Sequence, residues 1–135
     1  MIDGQLEVWF VEPAGMVDVH KGGYFAAEQA RFLTGDASAV LERLARERKE
    51  RATFVHVWST VTSYDPFTRK SIIDWGLRWG RDRVEHIWVV LGPKTPAMVR
   101  MACQLGSMAM NVAGIRITVS DDIGDVKAPL IRAAL

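Results

Sequence analysis

Thr53-Phe54-Val55-His56-Val57-Trp58-Ser59-Thr60-Val61-Thr62-Ser63-Tyr64-Asp65-Pro66 is the stretch that decides the fold class. Apart from His56, its first six residues are β-branched or aromatic, the composition of a strand covered on both faces, as in a parallel sheet. The polar loop that follows ends in Asp65-Pro66. Asp is a good N-cap, and Pro has the backbone angle that the first helical turn needs. A helix is therefore expected from Pro66 to about Arg81. Strand, loop and capped helix make the unit of a right-handed crossover.

Downstream the unit recurs. Val84 to Leu91 reads as a second buried strand. Gly92-Pro93-Lys94-Thr95-Pro96 follows, with Thr95 as cap and Pro96 in the first turn of a helix to about Asn111. Ile115 to Val119 reads as a third buried strand, and Asp121 to Leu135 as a short closing helix interrupted at Pro129. Upstream, Leu6 to Val11 is a strand, Glu12-Pro13-Ala14-Gly15 a turn, and Met16 to His20 a strand alternating Val17 and Val19 with Asp18 and His20. That alternation is the period of a half-buried strand. Between Phe25 and Arg51, Ala30, Leu33, Ala37, Val40, Leu41 and Leu44 recur at helical spacing. Gly35 leaves two readings open: one bent helix, or two, with Asp36 capping the second. The expected product is one α/β domain over 1–135. It has a mixed, largely parallel sheet of about five strands, an N-terminal β-hairpin at one edge, and four helices.

Composition excludes several functions. At 135 residues the chain has room for one domain. Seventeen Lys+Arg against sixteen Asp+Glu leave a net charge of +1, which argues against a nucleic-acid binder or a polybasic membrane anchor. Cys103 is the lone cysteine, so neither an internal disulfide nor a Cys-rich zinc site is expected. Met1 to Gln5 has no basic leader region, and no apolar run is long enough to span a bilayer. The expectation is a cytoplasmic protein without membrane insertion. The one unusual count is five Trp against two Tyr.

Two of those tryptophans fall on one helical face. On the helix from Pro66, the residues Ile72, Ile73, Trp75, Gly76, Leu77, Trp79 and Gly80 fill an arc of roughly 200°, twice the stripe that packing on one sheet requires. In the next helix Arg100, Gln104, Ser107 and Asn111 form one narrow polar stripe, and Ala, Val, Leu and Met residues cover the rest. Either the two helices cover each other on the sheet, or a patch is left for a partner. For the second case the candidate docking residues are Ile72, Trp75, Gly76, Trp79, Met101 and Met108, and the expected partner is a protein, with a homodimer foremost.

Chemistry-bearing motifs are sparse. His20, His56 and His86 have no neighbours at metal-ligand spacing, so no metal is expected; His56 reads as a hydrogen-bonded core histidine. Cys103 reads as an inert thiol within a helix, and Asp121-Asp122 as capping residues. No nucleophile elbow, dinucleotide fingerprint or Walker loop is present. The basic run from Arg43 to Arg51 is offset by Glu42, Glu47 and Glu50 and reads as a solvated helix face. Gly92 to Thr95 lies beyond the carboxyl end of a strand, where α/β sheets bind ligands, and it offers Lys94, Thr95 and free amides to an anion. Tyr64 and Arg69 lie in the neighbouring strand-end loop. No catalytic residue and no cofactor is expected.

The element order, with Ser63-Tyr64-Asp65-Pro66 and Arg69 after the central strand, resembles the STAS-like superfamily. That is the domain of anti-sigma-factor antagonists and sulfate-transporter tails, and the small stand-alone bacterial STAS/SEC14-like proteins are closer still. Gly92 and the run Met98-Val99-Arg100-Met101-Ala102 fit the same pattern. The resemblance covers about Leu6 to Leu135. It implies a non-enzymatic regulatory module that docks on partners and in some members holds a small ligand. In anti-sigma antagonists a serine following an aspartate at this helix start is phosphorylated to release the partner. Here Pro66 and Phe67 follow Asp65, so the phospho-switch is degenerate, and Thr68, the nearest hydroxyl, is the candidate phosphorylation site. The alternative function is a binding domain for an anion, nucleotide or lipid at Tyr64–Arg69 and Gly92–Thr95.

Overall fold

The computed structural model describes residues 2–3 and 5–126. The chain runs β1 (Ile2–Asp3), β2 (Leu6–Val11), β3 (Gly15–His20), β4 (Tyr24–Phe25), α1 (Ala27–Phe32), a π-helical turn (Leu33–Ala37) and α2 (Ser38–Arg48). It continues through β5 (Ala52–Val57), β6 (Ser63–Tyr64), α3 (Pro66–Trp79), β7 (Val84–Val90), α4 (Ala97–Val112), β8 (Ile117–Ser120) and a 3₁₀ turn (Ile123–Asp125). The main sheet has the order β1-β2-β3-β5-β7-β8. β2 and β3 are the antiparallel hairpin, and β3, β5, β7 and β8 run parallel. The five long strands are those expected, with two-residue β1 added at the edge.

Each parallel step moves in the same direction across the sheet. Right-handed crossovers then place α1–α2, α3 and α4 on one face. The principal core fills that interface, with Leu6, Met16, Leu33, Leu41, Phe54 and Trp75 at its centre. On the opposite face Val17, Val55, Trp88 and Val90 pack with Val126. The predicted closing helix is a single 3₁₀ turn up to Asp125; the rest of that expectation, including Pro129, lies outside the described residues.

The segment left open between Phe25 and Arg51 is one continuous helix from Ala27 to Arg48 whose middle turn is π-helical. Asp36 lies within that turn and not at a helix start. Thr34 donates its hydroxyl back to the Ala30 carbonyl at 2.8 Å, a bond that competes with the regular ladder. The extra residue in that turn keeps Leu33, Ala37 and Leu41 all facing the core, each fully buried. At α3 the Asp65 carboxylate accepts from the Phe67 amide at 2.8 Å, as the cap expectation requires. The helix stops before Arg81 because Gly80 adopts φ +76°, a region that favours glycine. At α4 the cap expectation fails: Pro96 occupies the N-cap position. Thr95 instead closes the preceding turn, its hydroxyl accepting from the Gly92 amide at 2.9 Å.

Strand β3 departs from the half-buried reading. Asp18 and His20 are 0% and 1% exposed, because they face the helix layer and not water. His86, on the other face, stacks on Trp88 at 4.1 Å and bonds Thr118 at 2.9 Å. Burial, then the nearby Arg116, lowers its pKa below the usual value of 6.5. The folded state therefore favours the neutral ring. The unfolded chain binds more protons as pH falls below about 6.5, so this contribution is complete above that pH and is lost below it. An NMR titration is expected to place the His86 midpoint below 6.5; a midpoint above that value contradicts the assignment.

Candidate functional site

Two features of the helix layer bear on function: a cavity beneath α3 and α4, and the outer surface of α4. The cavity, of about 100 Å³, lies between these helices and the sheet. Phe54, Trp75, Ile87 and Val99 form apolar walls, and His56, Trp58 and Cys103 complete a lining that is almost wholly apolar. Arg69 is the one exposed residue of its lining and marks where it meets solvent.

Strand pairing sets the surroundings of His56. Asp18 of β3 and His56 of β5 are register partners on the helix face. Asp18 is 0% exposed and His56 3%. His56 Nδ1 bonds Asp18 Oδ1. Trp58 Nε1–H donates to the other carboxylate oxygen at 2.8 Å. The imidazole lies flat on the Trp58 indole, with centroids 4.7 Å apart and planes inclined by 18°. An ionised carboxylate only accepts, so Nδ1 carries the proton in the His56–Asp18 bond.

A two-residue parallel pairing of β4 with β6 holds the strand-end loop. The Asp65 amide and the Thr68 hydroxyl both donate to the Phe25 carbonyl, at 3.1 and 2.9 Å. Thr68 is 3% exposed. As a candidate phosphorylation site it is corrected here, because its hydroxyl is sealed and already committed. Tyr64 and Arg69 do line the cavity, whereas Lys94 and Thr95 do not. The expected joint anion site is thus divided, with Lys94 exposed and Thr95 holding its own turn.

The docking residues divide as well. Trp75 and Trp79 are 4% and 3% exposed, and both indole N–H groups donate to Ser38 Oγ, at 2.9 and 3.3 Å. They join α3 to the π-to-α2 junction inside the chain and are corrected as surface residues. Gly76 is also internal: a Cβ there would fall 2.3 Å from Met110 Cε, so α4 packs into the space it leaves. Ile72 is half-buried on the cavity wall. Met101 and Met108 are exposed, at 61% and 62%, and Met98, Leu105 and Val112 lie with them.

Cys103 faces the cavity with its thiol pushed up to about 11 by burial. It is held in the unreactive protonated form. Among the described residues no cluster of three His, Cys, Asp or Glu side chains is placed to hold a metal. No described helix is long and apolar enough to cross a membrane.

No family model and no curated protein matches the chain. Among solved structures it is similar to an uncharacterized protein from the DUF3478 family of Shewanella loihica PV-4, described as having a SpoIIAA-like fold. The TM-score is 0.58 at 10% sequence identity, covering 96% of this chain and 98% of that one. The fold is SpoIIAA-like. It agrees with the α/β fold expected from the element order. At this identity the likeness establishes the SpoIIAA-like fold and leaves the site residues to be argued from this chain alone.

Proposed function

We propose that this chain is a non-enzymatic, cytoplasmic regulatory or scaffolding module that works by docking. Its docking surface is the outer face of α4, paired with the same face of a second copy. The observation that carries this is one uninterrupted apolar stripe: Met98, Met101, Leu105, Met108 and Val112 are exposed at 55%, 61%, 47%, 62% and 91%. Their spacing alternates three and four residues, the repeat of a helix–helix seam.

Three properties favour a second copy. The stripe is nearly symmetric about Leu105, with Met101 and Met108 close on either side and Met98 and Val112 seven residues away. A two-fold axis at Leu105 pairs Met98 with Val112 and Met101 with Met108, an isologous contact. Charge does not oppose it: within α4 the only charged residue is Arg100, which bonds Asp121 at 2.8 Å and the Gly92 carbonyl at 2.6 Å. Composition favours it as well: five large apolar side chains, each about half exposed or more, supply the apolar centre of a contact, and the flanking polar positions its rim. The shallow groove between α3 and α4, lined by Ile73 and Leu105, adds a hole for a partner's side chain. Methionine suits such a contact because it adapts its shape.

The register is testable by cross-linking. In a Cys103→Ser background, Leu105→Cys is expected to join two chains through a short bifunctional thiol reagent. Phe67→Cys, on the neighbouring helix, is expected to give little product. Equal yields at both positions, or none at Leu105→Cys, contradict the two-fold at Leu105.

A further inference from the structure

We infer that the cavity under α3 and α4 is a binding site for one small monocyclic aromatic molecule carrying a hydroxyl donor, the phenol class, recognised by His56 Nε2. This goes beyond the docking of α4 and does not depend on it. The starting point is the histidine's second nitrogen. Nδ1 is committed to Asp18, and Nε2 has no hydrogen-bond partner among the described residues. No fully enclosed side-chain nitrogen or oxygen in the described structure lacks a partner, so Nε2 reaches open space. The space His56 lines is the cavity. A polar atom of a side chain more than nine-tenths buried, left without a partner beside an apolar chamber, is a recognition element without its counterpart.

The chemistry of that counterpart follows from the surroundings. With Nδ1–H donating to Asp18, the Nε2 of this tautomer presents a lone pair, and its partner is a donor. Phe54, Trp58 and Trp75 at the walls offer faces and edges to an aromatic ring, an arrangement favoured over an aliphatic chain of equal size. The volume of about 100 Å³ limits the guest to one ring; an apolar engineered cavity of about 150 Å³ takes up benzene. Met110, flexible and against Gly76, can yield the remaining space.

The test compares phenol, toluene and benzoate on the unmodified protein, by calorimetry and by ¹⁵N NMR of the imidazole nitrogens. Phenol is expected to bind at least tenfold more tightly than toluene and to shift Nε2 of His56 toward the frequency of a hydrogen-bonded nitrogen. Toluene is expected to leave Nε2 in place. His56→Asn, whose side-chain amide still donates to Asp18, is expected to bind phenol and toluene alike. The inference is overturned if phenol at about 10 mM, the weakest affinity of interest for a ligand this small, neither binds nor moves Nε2. It is equally overturned if toluene matches phenol on the unmodified protein, or if benzoate binds best, which would make Arg69 the recognition element. The NMR measurement needs no variant, so a failure of His56→Asn to fold leaves the result decided.

Discussion

Replacing Asp18 with alanine is expected to destabilise the protein by about 2–6 kcal/mol, the desolvation cost of two stranded buried donors at about 1–3 kcal/mol each. The residue lies at 0% exposure and is acceptor to two enclosed donors, His56 Nδ1–H and Trp58 Nε1–H. Alanine strands both and opens a void besides. Asp18→Asn is a subtler test. An amide has one accepting oxygen, so this variant satisfies one donor and turns an N–H toward the other. Its stability is expected to fall between those of wild type and alanine. Domain stabilities are about 5–15 kcal/mol, so the alanine variant loses a large share of the total. Urea unfolding measures this through the midpoint at constant slope. A loss under about 1 kcal/mol for Asp18→Ala contradicts the buried network.

Ser38→Ala is expected to cost about 2–4 kcal/mol, a large effect for deleting one hydroxyl, because each stranded indole N–H forfeits about 1–3 kcal/mol of desolvation. Surface Ser→Ala changes usually fall within about 0.5 kcal/mol. Here a single Oγ, in a residue 3% exposed, accepts from both Trp75 and Trp79. Both rings also pack edge-on against Phe54, at 5.2 and 5.3 Å, so they cannot turn toward water without disturbing the core. Tryptophan fluorescence gives a second readout. If Ser38→Ala matches wild type in both stability and emission, the serine is not the anchor of α3.

The β-rich run at Thr53, the Asp65-Pro66 cap and the valine-rich run before Gly92 were enough to read the parallel sheet and its crossovers, because strand composition and capping chemistry are local. What depends on neighbours was hidden. Asp18 and His20 alternate with valines as solvent-facing residues do; only the helices laid over β3 bury them. A carboxylate and a histidine in strands that come to pair were the available signal for the Asp18–His56 contact, but register had to be known first. The wide apolar arc of α3 did mark two contacts, and both are internal, one toward Ser38 and one toward Met110. Of the two helices read as over-apolar, α4 keeps its excess outside, since it has the sheet and α3 on its inner sides while no described residue covers Met101 and Met108. The π turn was invisible because Leu33 and Ala37 fit the helical period either way.

Sedimentation equilibrium on the unmodified chain and on Leu105→Glu tests the α4 docking face most directly. Two charges brought together on the two-fold axis oppose pairing, while a half-exposed position on a helix leaves the fold intact. The unmodified chain is expected to sediment as a dimer at micromolar concentration, and Leu105→Glu as a monomer with an unchanged melting temperature. An unmodified chain that is monomeric throughout, or a dimer indifferent to Leu105→Glu, contradicts α4 as the docking face.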